Sequence, residues 1–307
     1  MAGTVTITEV ALRDGLQNEA ATLSTATKVD LARQLAAAGI SSLEVGAFVR
    51  PDAVPQLADT DTVVGILGQT PKVTRHALVF NRHGATRALD CGVDSVRLVV
   101  SATEGHSRAN AGSDVATALD RIQRCAEPLT AAGIALEAAV ATAFVCPFDG
   151  QTLAQDVAEL ATALTELGAT RIYLADTIGA AHPGQIEHTL DVVKATAPQI
   201  ELGLHLHNTY GMALANALTG YRWGIRHFDA ALGGLGGCPF APGAAGNIAT
   251  DDLIHMFHHL GIDTGIDPAA LSRARELLRT AIGRPLDSAL SAVPATPAAR
   301  PMPAYDH

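Results

Sequence analysis

The chain has 307 residues, of which 48% are apolar but only 4% aromatic, and its formal net charge is −10. This length allows one large domain or two ordinary ones, and the aliphatic composition favours parallel strands covered by helices. The sequence contains no block of basic residues. We therefore expect no nucleic-acid partner, because phosphate binding requires a basic surface.

The cysteines and the N-terminus indicate where the protein works. The four cysteines are widely spaced and form no CxxC pair, which is typical of a reduced, intracellular protein. The opening MAGTVTITEV lacks the basic and apolar regions of a signal peptide. No stretch approaches the roughly 18 uncharged apolar residues of a membrane span. We therefore expect a cytoplasmic protein with no membrane contact.

Short β-branched or aliphatic runs recur along the chain, and alanine- and leucine-rich helical stretches such as 28–39, 114–133 and 153–168 separate them. Such alternation predicts a parallel sheet, and eight repeats favour a closed barrel over an open sheet. The predicted strands are 4–10, 42–47, 73–80, 95–101, 134–142, 171–176, 201–207 and 227–232.

The C-terminal part of the sequence follows a different pattern. Helical stretches at 249–260 and 268–281 would complete and flank the barrel, and the chain then becomes rich in Pro and Ala without any period. We therefore predict an α/β fold, a (β/α)₈ TIM barrel with additional C-terminal helices. Residues 1–284 would form this single domain, and 285–307 a loosely ordered Pro/Ala-rich tail.

Polar residues stand near the ends of several predicted strands. In TIM barrels the chemistry is carried by the carboxyl ends of the strands and by the loops that follow them. We expect all of these side chains to converge on one mouth of the barrel. They are Arg13, Asp14, Glu44, Asp176, His205, His207 and Cys238.

His205 and His207 are two residues apart, so a strand would place both imidazoles on one face. A single buried histidine is usually structural, but two on an inward face indicate ligands. With Asp14 and the side-chain carbonyl of Asn247 they would form a mixed nitrogen and oxygen site for Mg²⁺ or Mn²⁺. Zn²⁺ is less favoured, because neither a thiolate nor a third imidazole accompanies them.

Arg13 lies next to Asp14 in LRDGLQNE. It could form an ordinary surface ion pair, but beside a metal ion its planar guanidinium could hold a carboxylate or a developing enolate oxygen. Gln17 and Glu44 could brace it, or they could simply line the barrel. Asp176 in LADTIG fits a helix N-cap as well as it fits a catalytic role.

Residues 233–247 read GGLGGCPFAPGAAGN, in which glycines flank Cys238 on both sides. This composition predicts either a flexible turn or a mobile active-site loop that carries a reactive thiol. Reactive thiols require access and a setting that lowers their pKa, and a nearby cation could supply the second condition.

Together these residues resemble the 3-hydroxy-3-methylglutaryl-CoA lyase family of metal-dependent barrel enzymes over roughly residues 5–265. The motifs are long and specific: TEVALRDGLQNE, SLEVGAFVRPDAVPQLADTD, TEGHSRAN, CPFDG, LADTIGAAHPGQ, HLHNTYGMALAN and GGLGGCPFAPGAAGNIATDDL. The resemblance implies a carbon–carbon lyase that acts on an acyl-CoA thioester, and it suggests a homodimer.

The resemblance also implies roles for individual residues. Arg13 matches the catalytic arginine, and Cys238 matches a cysteine on a loop that closes over acyl-CoA. Glu44 and Asp176 match acidic residues that line the site. The implied metal ligands are Asp14, His205, His207 and Asn247. The base that takes the substrate's hydroxyl proton stays open between Asp14, a histidine and a metal-bound hydroxide.

This chain departs from the family at the predicted cavity wall. Glu137 and Ala139 stand where the family carries an arginine and a tyrosine, and Tyr173 stands where a small serine is usual. We predict that Gln17 and Tyr173 contact the substrate. Wall changes of this size typically alter discrimination by about 1–3 kcal/mol, so we expect a 3-hydroxyacyl-CoA with a different C3 substituent to be preferred over 3-hydroxy-3-methylglutaryl-CoA.

The predicted reaction is a metal-dependent retro-Claisen cleavage of the C2–C3 bond, which gives a ketone or keto acid and acetyl-CoA. One alternative is a condensing acyl-CoA synthase of the same metal-barrel superfamily, against which the cysteine-containing glycine loop argues. Another is a non-catalytic binding protein on a degenerate lyase scaffold. The intact set of predicted ligands argues against this second alternative.

Overall fold

The computed structural model of the protein describes residues 3–68, 70, 72–237 and 246–293. Eight parallel strands close into a barrel, as the sequence predicts. A two-stranded antiparallel hairpin, β6 and β7, follows the fifth barrel strand. The strands are β1 (Thr6–Glu9), β2 (Ser42–Ala47), β3 (Thr74–Val79), β4 (Ser95–Ser101), β5 (Ala135–Ala141), β6 (Val145–Cys146), β7 (Gly150–Gln151), β8 (Arg171–Asp176), β9 (Glu201–Leu206) and β10 (His227–Ala230).

The barrel strands neighbour one another in chain order, and β1 pairs with both β2 and β10 to close the circle. Helices connect and cover the strands. Among the described residues, none of these helices is both long and apolar enough to cross a membrane. They are α1 (Thr25–Ala37), α2 (Thr60–Leu67), α3 (Arg82–Cys91), α4 (Glu104–Ala111), α5 (Val115–Ala131), α6 (Ala154–Glu166), α7 (Pro183–Thr196), α8 (Ala213–Trp223), α9 (Thr250–His259) and α10 (Pro268–Ile282).

Local sequence signals account for the ends of the helices. Helix α7 begins with a capping box, in which the His182 side chain accepts from the Gln185 N–H and the Gln185 side chain accepts from the His182 N–H. Helix α10 has Asp267 as its N-cap and ends at Ile282, after which Gly283 is the C-cap with φ 75°. A left-handed residue of this kind is usually glycine, because it carries no Cβ.

Strand β4 shows how the barrel divides into an outer and an inner surface. Val96, Leu98 and Val100 belong to the aliphatic core between strands and helices. The alternating Arg97 and Val99 face a cavity inside the barrel. Because strand side chains alternate between faces, polar residues placed at every second position reach the barrel interior.

The predicted tail divides into two parts. Residues 285–293 pack against the barrel: Leu286 is buried, and the Ser288 hydroxyl donates to Asp252 Oδ1 on α9 at 2.7 Å. A 3₁₀ turn, Ala289–Ala292, follows. Residues 294–307 lie outside the described residues. Residues 285–293, which the composition assigned to the tail, therefore belong to the barrel domain.

Gly203 provides a direct test of packing inside the barrel. A Cβ at this position would lie 2.6 Å from Cε1 of the buried Tyr173 ring. We predict that Gly203→Ala lowers the free energy of unfolding by about 1–3 kcal/mol, the usual cost of overpacking. Urea denaturation measures this change.

Gly65→Ala is the matched control. Gly65 lies in α2 and is exposed, and an added Cβ would meet no atom within 4 Å. This substitution should raise stability by up to about 1 kcal/mol through helix propensity. Equal effects of the two substitutions would contradict the packing of Tyr173 against Gly203.

Candidate active site

A cavity of about 130 Å³ opens at the carboxyl ends of the barrel strands. It brings together five residues that the sequence analysis placed in the site: Arg13, Asp14, Gln17, His205 and His207. The predicted convergence at one mouth is therefore observed for Arg13, Asp14, His205 and His207, and Gln17 lines the same cavity. The cavity's aliphatic and aromatic lining comes from Leu78, Phe80, Val99, Ala139, Ala141 and Ala175.

Arg13 and Asp14 lie on a π-helical turn, Ala11–Gly15, directly after β1. The Gly15 N–H bonds to the Val10 carbonyl at 3.1 Å, which sets the wide turn. Single π-turns are rare and occur frequently at functional sites. Here the turn directs two consecutive polar side chains into the same cavity.

His205, His207 and Asp14 form a cluster with the geometry of a metal site. His205 Nε2 and His207 Nε2 lie 3.2 Å apart, and Asp14 Oδ2 lies 3.8 Å and 3.4 Å from them, respectively. Ligands bound at 2.0–2.1 Å around an octahedral ion are separated by about 3 Å. These three residues are the group of acidic, His or Cys side chains in the described part of the chain that could hold a metal ion.

The electrostatics of this cluster favour the protonation states in which the side chains bind a cation. Burial acts to raise the pKa of Asp14, but Arg13, His205 and His207 outweigh it and hold that pKa well below its ordinary value. Burial lowers the pKa of His207. Asp14 is therefore an anion and His207 a neutral imidazole, the forms that bind a cation.

Asn247 reaches the same cluster from the chain segment after the glycine loop. Its Nδ2 donates to Asp14 Oδ2 at 2.7 Å and to the Leu235 carbonyl at 3.1 Å. Its Oδ1 is buried and has no hydrogen-bond partner among the described residues. Ligation through oxygen, as predicted, requires the amide to turn by 180°, which is favourable only when a cation lies between Oδ1 and the carboxylate.

Arg13 is held by two carboxylates. Its Nε donates to Glu44 Oε2 at 2.7 Å, and its Nη1 pairs with Asp14 Oδ1. No described residue accepts a hydrogen bond from Nη2. Because Arg13 also lines the cavity, the structure leaves a donor of a fixed guanidinium available to a ligand.

Glu44 and Asp176 are not among the residues that line the cavity. Glu44 is fully buried behind Arg13, so it acts on the site through that side chain. Asp176 accepts hydrogen bonds from the Ala180 and Ala181 N–H groups. Burial outweighs these bonds and raises its pKa to about 6. Asp176 thus fixes the loop before α7, whereas the N-cap of that helix, the alternative role predicted for Asp176, is His182.

Tyr173 also lies away from the cavity lining, in contrast to the predicted substrate contact. It is fully buried beside Gly203, and Arg97 Cζ stacks 4.0 Å from its ring centroid. Glu137 pairs with Arg97 and Arg171 and faces the opposite end of the barrel. Of the three departures from the family motifs, only Ala139 is in the cavity wall.

Cys238, the predicted loop cysteine, lies outside the described residues. The last described residue before it, Gly237, lines the cavity, and its carbonyl accepts from Asn18 Nδ2 at 3.0 Å. The chain is described again from Gly246, whose carbonyl accepts from the Asn208 N–H. Both described ends of the segment therefore lie near the predicted metal ligands.

Sequence reasoning missed two charged residues, Asp229 and Arg97. Asp229 Oδ2 accepts from His205 Nδ1 at 3.0 Å and from Arg97 Nη1 at 2.5 Å. The first bond fixes the tautomer of His205 and leaves its Nε2 lone pair toward Asp14 and His207. The available signal was a charged residue at an inward-facing position within a predicted strand.

Most of the chain is similar in sequence to known acyl-CoA lyases. The family model described as HMGL-like matches residues 4–278. The (R)-citramalyl-CoA lyase of Chloroflexus aurantiacus is 43% identical over 292 residues, which cover 92% of both proteins. A hydroxymethylglutaryl-CoA lyase of Bacillus subtilis is 37% identical over 284 residues, covering 92% of this chain and 95% of that protein.

A solved structure shares the fold. It is an HMG-CoA lyase from Acinetobacter baumannii in complex with coenzyme A and 3-methylmalate. The two structures superpose with a TM-score of 0.91 at 38% sequence identity, and the match covers 98% of each chain. The similarity therefore extends over the whole barrel, including the elements that carry the cavity.

The contact between Asp229 and His205 can be tested by metal binding. We predict that Asp229→Asn weakens Mn²⁺ binding about 10–100-fold, the usual effect of removing the partner that orients a histidine ligand. Titration monitored by electron paramagnetic resonance measures the affinity. Asp120→Asn on the exposed face of α5 is the matched control and should bind like the wild type. Equal affinity of all three proteins would show that Asp229 does not orient the site.

Proposed function

The chain belongs to the HMGL-like family of carbon–carbon lyases, and on that premise we propose that it cleaves the C2–C3 bond of a 3-hydroxy-3-methylacyl-CoA thioester. In this reaction a base takes the C3 hydroxyl proton, and the oxygen's electron pair forms the carbonyl of a keto acid. The electron pair of the broken bond becomes the enolate of acetyl-CoA. A proton delivered to C2 completes the products.

The observation that carries this proposal is the arrangement at the cavity mouth. Asp14, His205 and His207 converge there, and the guanidinium of Arg13 lies beside them. A cleavage that creates negative charge on an oxygen needs preorganised positive groups where that charge develops. The same cavity offers an aliphatic side for the methyl group of the substrate.

The residues present fit a divalent cation. We propose that Asp14, His205 and His207 would hold Mg²⁺ or Mn²⁺, with Asn247 Oδ1 as a further ligand. The nitrogen and oxygen donors without a thiolate favour these ions over Zn²⁺. When bound, such an ion supplies a Lewis acid that polarises the substrate oxygens.

Arg13 has the role of stabilising the enolate oxygen. Glu44 and Asp14 fix two of its nitrogens, and no described residue accepts a hydrogen bond from Nη2. Fixation by two carboxylates, of which Glu44 is fully buried, means that the donor does not reorganise as charge develops. Cys238, on the glycine-rich segment beyond Gly237, would deliver the proton to C2.

The proposed substrate carries a carboxylate directly on C3, as in the (R)-citramalyl-CoA named for the Chloroflexus relative. The products would then be pyruvate and acetyl-CoA. A cavity of about 130 Å³ is small, which supports a short C3 substituent over the carboxymethyl group of 3-hydroxy-3-methylglutaryl-CoA. We also propose a homodimer, from the family resemblance, and a cytoplasmic location, from the widely spaced cysteines and the lack of a signal-peptide pattern.

Activity assays on a matched series of thioesters test the proposed function. With Mn²⁺ present, we expect kcat/KM for (R)-citramalyl-CoA to exceed that for 3-hydroxy-3-methylglutaryl-CoA about 10–200-fold, the usual effect of one methylene. Excess chelator should abolish activity, and added Mg²⁺ or Mn²⁺ should restore it. Full activity in chelator would refute the metal site, and a clear preference for the methylglutaryl thioester would refute the proposed substrate.

Arg13→Met tests the role of the guanidinium. If Arg13 stabilises charge only in the transition state, this variant should lower kcat about 10²–10³-fold with little change in KM. Arg124→Met on the exposed face of α5 is the matched control and should retain wild-type kinetics. An effect of Arg13→Met confined to KM would mean that Arg13 anchors the bound substrate instead.

A further inference from the structure

The floor of the cavity is a charged side chain that crosses the barrel. Arg97 extends from β4, and its Nη1 donates to Asp229 Oδ2 on β10 at 2.5 Å. These two strands are four places apart in the ring of eight, so they face each other. Arg97 Nη2 donates to Glu137 Oε2 on β5 at 2.9 Å. A carboxylate therefore holds the guanidinium on each side.

This floor separates two cavities. Arg97 lines the mouth cavity, whereas its partner Glu137 lines a second pocket of about 700 Å³ at the amino ends of the strands. Tyr173 lines neither of them and is fully buried, with its ring against the guanidinium. The two ion pairs of Arg97 and one aromatic ring thus limit how far a ligand can enter from the mouth.

The floor has little room to move. Arg97 is 1% exposed, and removing either carboxylate partner would leave part of its buried charge uncompensated. The ring of Tyr173 fills the space that the missing side chain of Gly203 leaves. The depth of the cavity is therefore fixed by packed and paired groups.

Arg97 lines the cavity and retains hydrogen-bonding capacity. A guanidinium has five N–H donors, and two of them are used by Asp229 and Glu137. No described residue accepts from its buried Nε. Among the described residues that line the cavity, Arg13 and Arg97 are the guanidinium groups. Arg13 lies beside Asp14 at the metal cluster, and Arg97 lies at the floor.

We propose that Arg97, held across the barrel against the ring of Tyr173, is the specificity-determining residue that receives a carboxylate attached directly to C3 of the substrate. Arginine is suited to this role because its planar donor fork matches a carboxylate. A carboxymethyl group on C3 is longer than a carboxylate attached directly to C3 by one carbon–carbon bond, about 1.5 Å. The packed floor does not move to make room for this extra length. This inference rests on the proposed lyase function and adds the residue that selects the substrate.

Tyr173 variants test the floor without removing a charge. Tyr173→Leu removes the aromatic ring that packs against Arg97 and shortens the side chain at this position. The guanidinium of Arg97 should therefore lie farther from the mouth of the cavity, which becomes deeper. We expect the preference in kcat/KM for the citramalyl over the methylglutaryl thioester to fall at least tenfold. Tyr173→Phe keeps the ring and should keep the preference within about twofold. A ratio of two substrates is insensitive to the fraction of folded protein.

Arg97→Lys gives an independent measurement. Lysine keeps the positive charge but loses the planar fork, so KM for the citramalyl thioester should rise at least tenfold, whereas KM for the methylglutaryl thioester should change less. The proposal is overturned if Tyr173→Leu keeps the wild-type preference or if Arg97→Lys keeps the wild-type KM values.

Binding measurements separate this inference from the proposed function. Calorimetry with Mg²⁺ and the free acids citramalate and 3-hydroxy-3-methylglutarate reports the affinity ratio without catalysis. If the wild type cleaves neither thioester, the proposed function fails. A tenfold loss of preference for citramalate in Tyr173→Leu would then still support the floor, and an unchanged affinity ratio would overturn it.

Discussion

A buried arginine inside a β-barrel is costly unless carboxylates accompany it, because desolvation of each charge costs several kcal/mol. Here Arg97 is paired with Glu137 and Asp229, and Asp229 also bonds to His205. One charge-compensated chain thus joins opposite walls of the barrel and ends at a predicted metal ligand. The cavity depth and the orientation of His205 both depend on it.

Pairing of an arginine with carboxylates also organises the mouth of the cavity. Glu44 is buried and positions Arg13, and Arg13 in turn pairs with Asp14. Arg13 and His205 each have a buried carboxylate, Glu44 and Asp229 respectively, that fixes them from behind, as preorganised sites require. The lyase chemistry that we propose would use these fixed groups, so substitutions in the supporting layer should change function without touching the substrate.

The departures from the family motifs gain a physical interpretation from the structure. β5 carries Glu137 and Ala139 where the family has an arginine and a tyrosine. Arg97 from β4 and Tyr173 from β8 flank these positions, because Arg97 registers with Glu137 and Tyr173 with Ala139. A charge and a ring are thus present at this level of the barrel but are supplied by neighbouring strands.

Strand periodicity and chain order are local properties, so the eight βα units could be predicted from the sequence. The cluster of Asp14, His205 and His207 could be predicted only because a barrel and the family motifs imply where the strand ends meet. It did not determine that Tyr173 lies behind Arg97 or that Asp229 orients His205. Those contacts join different strands, and Arg97 contacts not only Tyr173 but also Asp229, 132 residues farther along the chain. Closure of the barrel brings these side chains together. Residue type and spacing specify which side chains face inward, whereas the pairs that meet across the interior depend on how the closed barrel places its strands.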